Sequence, residues 1–390
     1  MITQLKNLLL NNTDKAEDKI DGLIFDFRNR FGLFAPLQIV PYRSYGTPER
    51  LYVTGRVLAD KNVSGPEENH NVWDNLWNMY KRFDSDEVPN AELIINFDNV
   101  AHEVVTDEEG YFTLNLKPEK PLELQDIWHQ VEIKLKNAPV NFSGEIKTQA
   151  EVLVPPPDAE YGIISDIDDT VIMTGATSML ATARNVFFHN ARTRLPFAGV
   201  SAFYKSLQLG RNGKRNNPFF YVSSSPWNTY DLLRDFLDLN EIPAGPILLR
   251  DLGIDNNKFI KSDHLSHKMK EIENILITYP KLSFVLVGDS GQEDARIYEE
   301  VVKRHPGRIL AIYIRDVKVA ERSEIVVKIS EGLKEQKVEM LLIENTVNAA
   351  EHAAKTGLIF TETIPDIKTE KAQDKGELPG KEEPSVTDPV

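Results

Sequence analysis

The chain of 390 residues contains no cysteine, which excludes disulfide bonds and thiolate metal sites. An absence of cysteine suits a reducing compartment, and we predict a cytoplasmic protein. Long apolar runs are also missing: the leucines at positions 8–10 are soon followed by polar residues, too few for the apolar region of a signal peptide. Any contact with a membrane is therefore expected to be peripheral and local.

Basic residues are outnumbered, since 45 Lys and Arg stand against 60 Asp and Glu and give a net charge of −15. This balance argues against nucleic-acid binding and repels an anionic membrane unless basic residues cluster locally. The contents of 41% hydrophobic and 27% charged residues are ordinary for a soluble globular protein. Because 390 residues exceed a single typical core, we predict two domains and a tail.

The first 154 residues divide into two predicted segments. Residues 1–35 carry apolar side chains at helical intervals and predict a helical N-terminal arm. Residues 36–154 contain short β-rich runs separated by turn residues, and predict a β-sandwich accessory domain that resembles a transthyretin-like or immunoglobulin-like module. Runs at 102–106 and 111–116 predict a hairpin. An aromatic stripe at 72–83 has helical spacing, for which a packed helix is favoured over a ligand or lipid surface.

Three prolines at positions 155–157 mark the boundary of a second predicted domain, residues 155–360. Strand-like runs alternate with helical stretches here, which predicts a doubly wound parallel α/β sheet. The strand candidates are 162–165, 219–223, 247–249, 283–288 and 309–314. Residues 361–390 complete the chain, and the Lys, Glu, Pro and Gly content from about residue 366 onward predicts a disordered tail.

Three aspartates, Asp166, Asp168 and Asp169, directly follow the apolar run at 161–165. Such a run predicts a buried parallel strand, and ligands in open α/β sheets bind beyond the carboxyl ends of these strands. Neighbouring carboxylates repel one another, so the cluster indicates a site that organises a cation or a phosphoryl group. The alternative is an acidic turn after an edge strand.

Two further segments supply hydrogen-bond donors. Ser223 ends a predicted strand, where its hydroxyl suits an anion, and Ser225 is predicted to cap a helix with Pro226 at its first position. In the next helix Lys268 flanks the apolar stripe, whereas Lys270 projects toward solvent and Lys261 precedes the helix. A cation at Lys268 would neutralise a phosphoryl group, and the alternative is a surface lysine.

A second acidic strand end contains Asp289 and Asp294 in a glycine-containing loop. Their carboxylate oxygens suit magnesium. His264 and His267 have the spacing of metal ligands, but magnesium prefers oxygen and no third imidazole is apparent, so we assign both to surface or structural roles.

These motifs, in this order, resemble those of the haloacid dehalogenase superfamily of phosphatases. The resemblance implies that Asp166 is the nucleophile and that Asp168 transfers the proton. We expect Thr170 to cap the turn and Asp169 to form a hydrogen bond with nearby backbone rather than to take a direct part in catalysis. Ser223 and Lys268 would hold phosphoryl oxygens. The metal ligands would be Asp166, the backbone carbonyl of Asp168 and Asp289, with Asp294 orienting or joining them, and the cofactor would be Mg²⁺.

The runs at 166–172, 194–200, 223–228 and 288–294 are similar to the catalytic domain of the actin-patch phosphatidate phosphatase family, which is related to the lipins. The family implies Mg²⁺-dependent hydrolysis of phosphatidate to diacylglycerol through an aspartyl-phosphate. The alternatives are a phosphatase of a soluble phosphomonoester and a non-catalytic adaptor. The segment from Met179 to Arg194 combines apolar residues with arginines and predicts either a membrane-facing lid or packed core. The sequence carries no motif that identifies a protein partner of the β-sandwich.

Overall fold

A computed structural model describes residues 36–59, 86–97, 100–122, 126–167, 170–171, 198–250 and 262–378. The predicted arm at 1–35, the aromatic stripe at 72–83 and the segment at 179–194 lie outside these residues. The described residues fall into two compact units, one within Met1–Pro41, Val53–Leu114 and Val131–Ala150, the other within Tyr42–Tyr52, Asn115–Gln130 and Glu151–Val390. None of the helices in the described ranges is long and apolar enough to cross a membrane.

The strands before residue 155 bury alternate side chains, as β3 shows. In β3 the buried residues alternate with partly exposed ones: Leu51, Val53, Gly55 and Val57 are buried, and Tyr52, Thr54 and Arg56 are partly exposed. This period of two is typical of a strand with one face against a core. β3 pairs antiparallel with β1, β2 and β4, β5 pairs antiparallel with β6 and β8, and β2 runs parallel to β9. The bounds are β1 (Leu37–Pro41), β2 (Ser44–Thr47), β3 (Arg50–Ala59), β4 (Asp86–Glu87), β5 (Glu92–Phe97), β6 (Val100–Val105), β7 (Tyr111–Leu116), β8 (Trp128–Asn137) and β9 (Lys147–Leu153). The sandwich arrangement stays a prediction.

The hairpin predicted from 102–106 and 111–116 is wrong in its pairing, although both strands exist. β6 pairs with β5, whereas β7 pairs with β3. The turn between them is held by β3, because the Val57 N–H donates to the Gly110 carbonyl at 2.8 Å and the Arg56 Nε–H donates to the Glu109 carbonyl at 2.8 Å. The sequence indicates the turn, but it does not indicate that β3 is the strand that binds it.

Six parallel strands form the sheet of the second unit, in the order β12-β11-β10-β13-β14-β15. Numbered from β10, this is the order 3-2-1-4-5-6, in which the direction of winding reverses between β10 and β13. Every residue of these two strands is buried, as expected for strands covered on both faces. Sequence analysis predicted the first five strands and missed β15. The six strands of this sheet are β10 (Gly162–Ser165), β11 (Phe219–Pro226), β12 (Ile247–Arg250), β13 (Phe284–Asp289), β14 (Ile309–Arg315) and β15 (Glu339–Ile343).

Helices connect and cover these strands, since parallel neighbours require crossover connections. α3 packs on β11, α4 packs on β13 and β14, and α5 and α6 pack on β15. The apolar residues Met269, Ile272 and Leu276 of α3 join the buried core of the sheet. The helices are α1 (Val200–Leu209), α2 (Tyr230–Leu239), α3 (Ser262–Thr278), α4 (Asp294–Arg304), α5 (Ala320–Leu333), α6 (Thr346–Lys355) and α7 (Ile364–Asp374).

Residues 361–378 are not the disordered tail that the sequence predicted. A 3₁₀ turn leads into α7, and Ile367 of this helix is fully buried. The Glu370 and Asp374 carboxylates accept hydrogen bonds of 2.7 Å from the backbone N–H groups of Ala202 and Gly199 at the start of α1. One buried apolar residue and two carboxylate hydrogen bonds hold this helix. Because the rest of the segment is polar, its composition does not indicate a packed helix. Residues 379–390 lie outside the described range.

The second unit also begins before the predicted boundary at residue 155. Segments Tyr42–Tyr52 and Asn115–Gln130 belong to it. The Tyr45 ring meets Phe220 edge-on with ring centroids 5.8 Å apart, and the Tyr279 hydroxyl donates to the Gly46 carbonyl at 3.0 Å. The predicted division into 36–154 and 155–360 therefore separates residues that pack together.

Candidate active site

The carboxyl ends of β10 and β13 place two aspartates side by side. The strands are parallel with Ser165 opposite Val287, and the Asp166 N–H donates to the Val287 carbonyl at 2.9 Å. Asp166 follows β10 directly and Asp289 is the last residue of β13. Both side chains are buried, and both lie where the winding direction reverses, the usual ligand position in such sheets.

A buried ammonium group connects this edge to a third carboxylate. Lys268 Nζ lies 2.7 Å from Asp166 Oδ1, 2.7 Å from Asp294 Oδ1 and 3.1 Å from Gln292 Oε1. The lysine comes from α3, whereas Asp294 is the first residue of α4. On the same helix Lys270 is exposed. The structure thus brings Lys268 to the carboxylates, while Lys261 lies outside the described residues.

The charges in this cluster do not balance. Three carboxylates face one ammonium group, which leaves an excess of two negative charges when all are ionised. Burial alone lowers the pKa of Lys268, but the charges of Asp166 and Asp294 outweigh it and raise that pKa above its ordinary value. Burial, followed by the charge of Asp294, raises the pKa of Asp289 to about 7. Burial and the neighbouring Asp294 charge therefore both favour the neutral form of Asp289.

The loop after β13 fixes the two acids at close range. Asp289 Oδ1 accepts hydrogen bonds from the backbone N–H groups of Gly291 and Gln292, at 2.5 Å and 3.0 Å, and Asp294 Oδ2 accepts one from the Asp289 N–H at 3.2 Å. A Cβ atom on Gly288 would lie 2.7 Å from Asp294 Oδ2. Glycine at 288 is therefore what allows the Asp294 carboxylate to approach the backbone.

Ser223 is fully buried in β11, the strand adjacent to β10. Its Oγ accepts a hydrogen bond of 3.0 Å from the Ser225 N–H. The predicted helix start was wrong: Pro226 is the last residue of β11, a 3₁₀ turn follows at Trp227–Thr229, and α2 begins only at Tyr230. Ser225 therefore lies within the strand, where its backbone N–H binds the side chain of Ser223.

His267 contacts this segment and is not a surface residue. Burial, followed by the positive charges of Arg250 and Lys270, lowers its pKa to about 4, although a hydrogen bond to the Ser223 backbone opposes the shift. Its Nε2 atom is buried without a hydrogen-bond partner among the described residues. The imidazole is therefore neutral at pH 7 and structural in character. The side chain of His264 lies outside the described part of the chain.

The first motif is described only in part. Asp168 and Asp169 lie outside the described residues, so their predicted roles stay predictions. Thr170 is fully buried, and its hydroxyl lies 3.5 Å from Asp166 Oδ2, at the long limit of a hydrogen bond. The threonine therefore faces the Asp166 carboxylate as well as following the turn.

Three aspartates fit the predicted metal ion. Asp166, Asp289 and Asp294 each offer a carboxylate oxygen, and these oxygens lie within 4.8 Å of one another. Asp289 Oδ2 is buried and has no hydrogen-bond partner among the described residues. An unpaired buried carboxylate oxygen is costly, and an all-oxygen donor set suits Mg²⁺.

Residues 161–316 match the family model described as "Phosphatidate phosphatase APP1, catalytic domain". This segment is similar to the APP1 catalytic-domain family. Over 155 residues the chain is 40% identical to Phosphatidate phosphatase APP1 of Saccharomyces cerevisiae, an alignment that covers 40% of this chain and 25% of that protein. An uncharacterised protein of Schizosaccharomyces pombe is 32% identical over 166 residues, with coverage of 40% and 25%.

The chain therefore spans about a quarter of the length of these curated relatives. Among solved structures, a carbohydrate acetylesterase from Xanthomonas citri aligns with a TM-score of 0.27 and 12% identity, over 76% of this chain and 74% of that one. A similarity at this level carries no argument about fold or function.

The predicted site residues that the structure describes all fall within the APP1 catalytic-domain segment. They are Asp166, Ser223, Lys268, Asp289 and Asp294. Outside it lie β15, α6 and α7 as well as the packed segment Tyr42–Tyr52. The structural unit around the site is thus larger than the matched segment.

Two residues that make contacts at the site, Gln292 and Ser165, were not predicted from the sequence. Gln292 binds Lys268 through its side chain, and its position between Asp289 and Asp294 was the available signal. Ser165 Oγ lies 2.7 Å from the Tyr204 hydroxyl and donates to the Asp166 carbonyl at 2.7 Å. A serine at a buried strand end indicated a polar contact, but its partner on α1 could not be read from spacing.

Proposed function

We propose that this chain hydrolyses phosphate monoesters, and that its substrate is phosphatidate, which would give diacylglycerol and phosphate. The observation that carries the proposal is the buried cluster in which Lys268 bridges Asp166 and Asp294 beside Asp289. The APP1 catalytic-domain match over the same residues supports the choice of substrate. The six-stranded order supports a haloacid dehalogenase-like, doubly wound fold for this unit.

Attack by Asp166 on phosphorus is the proposed first step. One carboxylate oxygen forms a bond to phosphorus as the bond to the glycerol oxygen breaks, and a proton from Asp168 passes to that leaving oxygen. Water then attacks the aspartyl-phosphate and gives its proton to Asp168, which restores the Asp166 carboxylate and releases phosphate. The role of Asp168 rests on the family resemblance, whereas Asp166 is supported by its place at the strand end.

The surrounding groups position the phosphoryl group. Lys268 would share its ammonium protons between Asp166 and the phosphoryl oxygens, and Ser223 would donate its hydroxyl to one of these oxygens. Asp294 already binds Lys268 and the Asp289 N–H, which supports an orienting role. Asp289 and Asp166, with the Asp168 carbonyl, would hold Mg²⁺, which supplies positive charge against the phosphoryl oxygens.

The test is hydrolysis of phosphatidate in mixed micelles with and without Mg²⁺, by the wild-type chain and by Asp166→Asn and Asp168→Asn. Either substitution should lower the rate by at least about 10³-fold, because the nucleophile or the proton carrier is lost. Lys270→Met is the matched surface control and should retain full activity. Undiminished hydrolysis by Asp166→Asn would rule out the mechanism.

Substrate choice is tested by a soluble panel of sugar and nucleotide phosphates measured beside phosphatidate. A higher kcat/KM for phosphatidate supports the proposal, whereas a higher value for a soluble phosphomonoester would assign the same chemistry to another substrate. Absence of Mg²⁺-dependent turnover on all of them would contradict the enzymatic function and favour an adaptor.

A further inference from the structure

The strand that carries Ser223 is irregular where it runs beside β12. The ladder between β11 and β12 pairs Val222 with Leu248 and resumes only at Pro226 with Arg250, with an irregularity between. Residues 223–225 therefore fall in the interruption. Within the segment, the Ser225 N–H binds Ser223 Oγ at 3.0 Å, and the Thr229 hydroxyl donates to the Pro226 carbonyl at 2.6 Å. His267 forms a hydrogen bond to the Ser223 backbone, and a further contact restrains the residues that follow Ser223.

Tyr42 supplies such a contact. Its ring stacks on Trp227, the first residue after β11, with centroids 4.8 Å apart and planes inclined by 14°. The same ring meets Tyr230 at 4.2 Å, and Tyr42 is only 5% exposed. Stacked aromatic pairs attract each other beyond the effect of the area they bury, and they favour one relative orientation. Tyr42 thus restrains both the 3₁₀ turn and the start of α2.

The next residue strengthens the restraint through polar contacts. The Arg43 backbone N–H donates to the Tyr230 hydroxyl at 2.5 Å, and the Arg43 guanidinium donates to both carboxylate oxygens of Asp238 at 2.9 Å. A bidentate pair fixes direction as well as distance. Since Tyr230 begins α2 and Asp238 lies near its end, residues 42 and 43 hold the whole helix that follows the Ser223 turn.

We propose that Tyr42 is a positioning residue for the phosphate-binding turn, so that a residue about 120 positions before the APP1 catalytic-domain segment acts on the reaction through Trp227. The inference rests on the proposed function. Tyr42 does not need to touch substrate: its ring stacks on Trp227, and Trp227 directly follows the strand whose residue Ser223 would bind the phosphoryl group. A displacement of a donor by about 1 Å can reduce a rate by about 10²-fold.

The experiment compares Tyr42→Ala, Tyr42→Leu and Tyr42→Phe in the full chain. The alanine and leucine variants should lower kcat about 10- to 100-fold for phosphatidate and, by the same factor, for the soluble ester p-nitrophenyl phosphate, because the phosphate site is shared. Tyr42→Phe keeps the stacked ring and should remain within about 3-fold of wild type. The leucine variant carries the test if the alanine variant does not fold.

Tyr45→Ala is the matched control. It removes a tyrosine ring that packs on the same unit, against Phe220 and Tyr279, and should lower the melting temperature without the loss of kcat. The second measurement is the affinity of each folded variant for inorganic phosphate in Mg²⁺ by titration calorimetry. Weakened phosphate binding in Tyr42→Ala or Tyr42→Leu, restored in Tyr42→Phe, is expected.

Three outcomes would overturn the inference: unchanged phosphate affinity and kcat in Tyr42→Leu, an equal loss in Tyr45→Ala, or a loss confined to phosphatidate, which would make Tyr42 a lipid contact. If the wild-type chain hydrolyses no ester, the proposed function fails. The calorimetric comparison still decides whether Tyr42 supports a phosphate site.

Discussion

Substitution of Lys268 by methionine tests the charge balance of the site most directly. Methionine keeps much of the side-chain volume but removes the ammonium group, which changes the excess from two negative charges to three. The carboxylates of Asp166 and Asp294 each lose a partner at 2.7 Å, and both are buried. We expect a large loss of stability together with loss of activity.

The magnitude follows from the two distances. Unit charges 2.7 Å apart attract by about 6 kcal/mol at an effective dielectric constant of about 20, and the cost of dehydrating the charges offsets much of this. Removal of one partner from a buried pair typically costs about 3–5 kcal/mol, because it leaves a buried charge without compensation. The free energy of unfolding of Lys268→Met should therefore fall by about that amount above pH 7. The loss should be smaller near pH 5, where protonation of Asp289 removes one of the negative charges of the cluster.

The assay is urea unfolding in EDTA at both pH values, followed by circular dichroism, with phosphatase activity measured on the same samples. Lys270→Met removes an exposed lysine from the same helix and should change stability by less than about 0.5 kcal/mol. A Lys268→Met variant as stable as Lys270→Met, at pH 8 and without metal, would refute the charge argument.

Three further predictions concern other parts of the unit. Asp289→Asn should stabilise the metal-free protein above pH 7, because the substitution removes the repulsion from an ionised carboxylate. It should also abolish most of the rise in melting temperature that Mg²⁺ produces. An unchanged response to Mg²⁺ would contradict a metal-binding role for Asp289. The pKa of His267 is lowered to about 4, so the folded state resists protonation of this imidazole and the protein loses stability as pH falls from about 6.5 to about 4. In thermal melts, His267→Gln should lose less stability over that range than the wild-type protein. An identical pH profile would argue against a buried neutral imidazole. Ile367→Ala should cost about 2–5 kcal/mol in denaturant unfolding because its side chain is fully buried, whereas Leu378→Ala at an exposed position should cost little, and equal small effects would indicate a free tail.

The central sheet was open to prediction because each of its first five strands is a short run of buried apolar residues. One aspartate directly follows β10 and another ends β13, so the sequence predicts both acids at one edge of the sheet. The position of Lys268 followed from helical periodicity around Met269. These features depend on local patterns that repeat every two or three to four residues.

Features that depend on distant partners escaped prediction. The predicted hairpin pairing was wrong because β3 binds the turn at Gly110. Helix α7 was not predicted because its carboxylates Glu370 and Asp374 bind backbone N–H groups at the start of α1. β15 is short and lies at the sheet edge, with only part of its length buried. In each case the deciding contact joins residues whose separation in sequence gives no local signal.

The aromatic contacts of segment Tyr42–Tyr52 have a consequence for how such a catalytic segment is inherited. Phe220, Trp227 and Tyr279 are covered in part by Tyr42 and Tyr45, so a chain shortened to residues 161–316 would present these rings to water. Exposed apolar patches of this kind promote self-association. If a gene rearrangement moved only the matched segment, other residues would have to cover these rings in place of Tyr42 and Tyr45. The matched segment therefore buries part of its aromatic surface under residues that lie outside it.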